Sequence, residues 1–171
     1  MPDLHILYFH GDEMERVDVR AFIALRENIE SHPRLFGYYI IKLIDITELR
    51  KAGASEEEIA EEVFQQFDDK DWPPIEQRPQ DESWADYLTD GTAARLHVIE
   101  TLMGGPSIGH LEVTISEQQS TDYFDQFDRL FAEPKQYYMG MGFGDPAQVF
   151  SGGIAIIGPF HAGCLWVIEN D

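Results

Sequence analysis

Near its C-terminus the chain carries two apolar runs, Ile154-Ala155-Ile156-Ile157 and Cys164-Leu165-Trp166-Val167-Ile168, joined by the stretch from Gly158 to Gly163. A strand with one face in water alternates apolar and polar residues, and neither run does so. The pair therefore reads as a β-hairpin with both strands buried. Residues 132–171 around it are rich in glycine and poor in charge, so the elements that cover the hairpin must come from upstream.

Several segments can supply them. Leu4-His5-Ile6-Leu7-Tyr8-Phe9, closed by Gly11-Asp12, predicts a buried strand. Val19, Phe22, Ile23, Ala24, Leu25 and Ile29 recur at near-helical spacing within Glu15 to Glu30, and His32-Pro33 stops the pattern because a residue before proline avoids the α region. Leu35 to Ile46 contains Tyr38-Tyr39-Ile40-Ile41-Lys42-Leu43-Ile44, aromatic and β-branched residues without a breaker, which predicts a central strand. Ser55-Glu56-Glu57-Glu58 matches a capping box ahead of Ile59, Val63, Phe64 and Phe67. A longer helix is expected from about Trp84 to Met103, with a break near Asp90-Gly91 and an end at Gly104-Gly105-Pro106. Leu111 to Ile115 predicts a strand, and Thr121 to Phe131 a helix with Tyr123, Phe124, Phe127, Leu130 and Phe131 on its apolar face. The expected fold is one α+β domain. Its mixed sheet is built from Leu4–Phe9, Leu35–Ile46, Leu111–Ile115 and the C-terminal hairpin, with helices packed on it.

Charge is where this chain departs from the ordinary. Thirty-two Asp and Glu oppose 12 Lys and Arg, a formal charge of −20. Residues 55–90 alone hold 13 acids against Lys70 and Arg78, a net of −11. Acids this dense repel one another and must face water. Within this stretch, residues 68–83 carry three prolines among charges and predict an exposed loop. Such a field disfavours nucleic acid or anionic lipid as a partner, and it favours a monomer, since two copies repel. The lone cysteine, Cys164, fits a reducing compartment. Met1-Pro2-Asp3-Leu4-His5 has no signal-peptide character and no apolar run approaches about 20 residues, so a cytoplasmic location is expected.

Several motifs resemble ones that carry chemistry, and each has a plainer reading. Gly105-Pro106-Ser107-Ile108-Gly109 matches the G-x-S-x-G nucleophile elbow. That elbow needs a strand before and a helix after, whereas here the order is reversed, so a turn is expected. A serine hydrolase using Ser107 with His97 or His110 is kept as an alternative. The six histidines form no H-x-H or H-x-x-x-H pair, so no metal site is expected. Asp68-Asp69-Lys70-Asp71 opens like a calcium loop, but the required glycine is replaced by Pro73 and the final glutamate by Pro79. Asp122, Asp125 and Asp128 share a helix face, read as solvated. Gly140-Met141-Gly142-Phe143-Gly144 lacks the Lys-Ser/Thr of a phosphate loop and reads as a flexible turn, leaving no cofactor implied. Cys164 and Trp166 are expected in the core. Trp72 and Trp84 flank the acidic loop, either as partner anchors or as cover for the core edge.

The segment from Gly153 to Val167 resembles the strand pair of the SUKH superfamily, in which an apolar strand ends in a Gly-Pro-like turn and a glycine leads into a Trp-bearing strand. The resemblance implies an α+β domain used in bacterial toxin immunity, binding a cognate toxin without an active site of its own. It covers fifteen residues and carries no binding motif across.

These readings converge on a non-enzymatic immunity or inhibitor protein whose carboxylates engage a basic protein, such as a nuclease. The expected contact residues are Glu57, Glu58, Glu61, Glu62, Asp68, Asp69 and Asp71, with Trp72 as the apolar anchor. A scaffold or oligomer using the C-terminal hairpin as an exposed edge is the remaining alternative.

Overall fold

The computed structural model describes residues 13–34, 37–65, 83–104, 115–141 and 148–170. The hairpin is its centre. Strand β4 (Gln148–Ile157) and strand β5 (His161–Asn170) pair antiparallel, and the turn closes with Gly158 N donating to His161 O at 2.8 Å. On its other side β5 pairs with β1 (Gly37–Asp45), while β4 pairs with β3 (Gln136–Met141), which pairs in turn with the two-residue β2 (Leu88–Thr89). The order is β1-β5-β4-β3-β2. The hairpin is therefore not the exposed edge that the oligomer alternative assumed, because a strand bonded on both sides has no free ladder to offer.

Every residue from His161 to Glu169 is buried, as is Gly152 to Ile157. Successive side chains point to opposite faces, so both faces need cover. On the first, Ile154, Ile156, Leu165 and Val167 pack with Phe22, Leu25 and Ile29 of α1 (Glu13–Glu30), Ala94, Val98 and Leu102 of α4 (Gly91–Leu102), and Phe124 and Phe127 of α5 (Glu117–Asp128). On the second, Ala155, Ile157, Cys164, Trp166 and Ile168 pack with Ile59, Ala60 and Val63 of α3 (Glu56–Gln65) and with Trp84. Each large side chain buried this fully contributes roughly 1.5–3 kcal/mol. The result is an α+β fold with the sheet between two helical layers.

One glycine makes the second face possible. Gly153 sits opposite Trp166, and a Cβ there would lie 2.1 Å from Leu165 O and 2.9 Å from the indole ring. The aromatic side chain packs over a residue that has none.

Differences from expectation have local causes. All pairings among the described residues are antiparallel. A mixed sheet had been expected, but Leu4–Phe9 and most of Leu111–Ile115 lie outside the described residues; Ile115 itself is buried in the first core. The helix expected from Trp84 splits. Residues Trp84–Tyr87 form a 3-10 turn and Leu88–Thr89 become β2. Asp90 then restarts the chain as an N-cap, its Oδ1 accepting from Ala93 N at 2.8 Å. Helix α5 begins four residues earlier than Thr121, because Ser116 and Gln119 form a reciprocal capping box. The short helix α2 (Thr47–Lys51) and strand β3 had no clear periodic signal. Gly140 and Met141, read as part of a flexible turn, end β3, while residues 142–144 lie outside the described residues.

Candidate functional site

The acidic helix forms as its capping box predicts. Glu58 N donates to Ser55 Oγ at 3.1 Å, and Ser55 N donates to Glu58 Oε2 at 2.7 Å. With Ile59, Ala60 and Val63 buried on the sheet, α3 leaves Glu57 and Glu58 exposed and Glu61 and Glu62 half-exposed. Glu58 thus commits one oxygen to its own helix. Asp68, Asp69, Asp71 and Trp72 lie outside the described residues, as do all of residues 66–82, where an exposed loop is expected. Trp84 is buried at 3% exposure, edge-on to Tyr87 and Tyr138 with centroids 6.2 Å away in each case, so it covers the core and is no surface anchor.

The other candidates separate cleanly. Ser107 and His110 fall outside the described residues. His97 is half-buried on α4, and burial lowers its pKa below the ordinary 6.5, with Glu100 opposing; its Nε2 has no hydrogen-bond partner among the described residues. The three aspartates of α5 are each engaged. Asp122 accepts from Gln118 Nε2 at 3.0 Å, Asp125 from Arg95 at 3.3 Å, and Asp128 from Tyr137 at 2.7 Å and Lys135 at 2.8 Å. Burial and the bond to Asp128 raise the Tyr137 phenol. Cys164 is fully buried and its thiol is pushed up to about 12 by that burial, which leaves a packing residue rather than a nucleophile. Among the described residues no three His, Cys, Asp or Glu side chains converge on a metal position, and no helix is long and apolar enough to cross a membrane.

Two Arg–Glu pairs mark the ends of the central hairpin, and sequence reasoning missed both. At the end where β5 finishes, Arg34 Nη1 donates to Glu169 Oε1 at 2.5 Å, with side-chain exposures of 7% and 4%. Arg34 Nη2 also donates to Thr101 O and Leu102 O at 2.8 and 3.1 Å, capping the last carbonyls of α4, and its guanidinium lies 5.1 Å from the Tyr39 ring centre. Beside it, His32 Nε2 and Tyr123 OH share a hydrogen bond of 2.8 Å.

At the turn end, Arg50 of α2 donates through both terminal nitrogens to Glu56 of α3, and through Nη2 to Gly158 O at 3.0 Å. Here the exposures are 31% and 36%. The pair lines a cavity of about 370 Å³ with Gln136, Ile157, Pro134 and Pro159. Tyr138 OH donates to Gln136 Oε1 at 2.9 Å, and burial raises the Tyr138 phenol with help from Glu56 and Glu57. Phe160, next after Pro159, is exposed. Neither pair has a spacing that announces it: one spans a helix-to-helix turn and the other nearly the whole chain.

No family model, curated protein or solved structure matches this chain.

Proposed function

We propose that this protein is an acidic, non-catalytic binding protein of the cytoplasm that neutralises a basic protein partner, such as a toxin nuclease. The supporting observation is the solvent face of α3. Its apolar residues fix the helix on the sheet while Glu57, Glu58, Glu61 and Glu62 project a negative row away from it. A nuclease must present cations to hold phosphate, so carboxylates on a folded frame compete for the same groups and speed encounter by long-range attraction. Six of the described basic side chains, Arg26, Arg34, Arg50, Lys51, Arg95 and Lys135, pair with carboxylates and so do little to offset this field.

The test is inhibition of a panel of purified basic ribonucleases and deoxyribonucleases, using the natural chain and a variant with Glu57, Glu58, Glu61 and Glu62 each changed to Gln. Stoichiometric inhibition of one enzyme is expected, with association at least roughly tenfold slower and less salt-dependent for the variant. Inhibition of none, or inhibition indifferent to the four charges, overturns the reading.

A further inference from the structure

We propose that the cavity between Arg50, Glu56, Gln136, Ile157, Pro134 and Pro159 receives a basic side chain, Lys or Arg, of the partner protein. This deepens the binding-protein reading and rests on it.

The lining is mixed in character. Three of the six residues are apolar and the others offer a carboxylate, an amide and a guanidinium already turned to that carboxylate. Lys and Arg are the protein side chains that combine an apolar stem with a cationic head, and they lay the stem on apolar surface while the head stays polar. Pro134, Ile157 and Pro159 suit the stem. Glu56 suits the head, because a carboxylate has about four acceptor positions and Arg50 takes only two of them. Gln136 adds an amide whose oxygen already accepts from Tyr138.

Local charge selects the sign of the guest. Among the described residues of the lining Arg50 is the one cation, and it is matched by Glu56. Glu57 is exposed on the next position of α3; Glu133, 77% exposed, precedes Pro134, and Lys135, 3.6 Å from the Glu133 carboxylate, is shared with Asp128, so acids still outnumber cations here. An anionic guest meets this acid excess and must compete with Glu56 for Arg50, whereas a cation is favoured by both. The size also fits, since about 370 Å³ holds one long side chain and part of its neighbour. Exposed Phe160 beside Pro159 offers that neighbour an apolar ledge, which distinguishes a protein segment from a free amine.

The experiment records nuclear magnetic resonance spectra of the 15N-labelled full chain during titration with acetyl-Gly-Arg-Leu-Gly-amide. Peptides with citrulline or glutamate in place of arginine serve as controls. The arginine peptide is expected to shift the Gln136 and Gly158 amide signals, with citrulline at least tenfold weaker and glutamate without effect. The Gln136→Trp variant, which fills the cavity and changes no charge, is expected to abolish the shifts while its remaining spectrum shows a folded protein. Equal response to all three peptides, no response, or full response in Gln136→Trp overturns the proposal. A shift produced equally by spermidine overturns the assignment to a protein segment. The parent reading fails separately: it falls if the four-glutamine variant inhibits a nuclease unchanged, whatever the peptides do.

Discussion

The two ends of the central hairpin hold the same chemistry in opposite settings. At each, an arginine joins a glutamate and also binds backbone carbonyls, Thr101 and Leu102 at one end and Gly158 at the other. Burial separates them: the Arg34–Glu169 side chains are at most 7% exposed, the Arg50–Glu56 pair about a third. An ion pair removed from water is costly to break, because the survivor is left charged and dry. A pair at the surface is screened and can exchange partners at little cost. The closed end therefore reads as structure, and the open end is the one where the proposed guest would enter.

The largest effect that can break this comparison is Arg34→Met. Glu169 then loses its buried arginine, and a loss of about 3–5 kcal/mol is expected in urea unfolding. A loss below about 1 kcal/mol would show that the closed end is no more structural than the open one. Cys164 lies between the two ends and reports the same contrast by a different route. With its thiol buried and raised to about 12, it should resist iodoacetamide in the folded protein. Arg34→Met should speed that labelling roughly a hundredfold or more, through the lost stability, while Arg50→Met should leave it nearly unchanged.

Smaller effects sharpen the picture at the open end. Ser55→Ala removes the hydroxyl that starts α3 beside Glu56 and should cost about 1 kcal/mol in thermal or urea unfolding. Arg50→Met itself should change stability by about 1 kcal/mol or less, which separates a binding role from a structural one. The subtlest test concerns His97, on the helix whose carbonyls Arg34 caps. Its folded pKa is lowered by burial, so the unfolded chain binds the proton more readily. Its contribution is thus present above pH 6.5 and is lost as pH falls through the lowered folded value. His97→Gln should flatten the pH dependence of stability in that window; an unchanged profile would mean that burial does not bias its protonation.

Much of the architecture was legible because it is written in local pattern. The unbroken apolar runs at residues 154–157 and 164–168 announced strands covered on both faces, and Ser55 with Glu58 announced the start of α3. The stripe Phe22, Leu25 and Ile29 announced the buried side of α1, although its neighbours Ile23 and Ala24 proved exposed. Trp84 was less legible. Its flanks are polar and acidic, and only its place beneath the sheet, against Tyr138, buries it. The aspartates of α5 were equally ambiguous, since Lys135 and Tyr137, which engage Asp128, arrive from the next strand.

The sequence by itself determined the covered hairpin, the acidic helix with its cap, and the sign of the surface field, because each depends on residue order within one or two turns or strands. Tertiary structure alone decided which arginine meets which glutamate. Glu169 is 135 residues from Arg34, and the cavity at Arg50 exists only because α2, α3, β3 and the β4–β5 turn meet at one end of the sheet. Local preference reaches only a few residues along the chain, whereas burial, which decides whether a charged pair braces the fold or stays open to a partner, depends on everything packed around it.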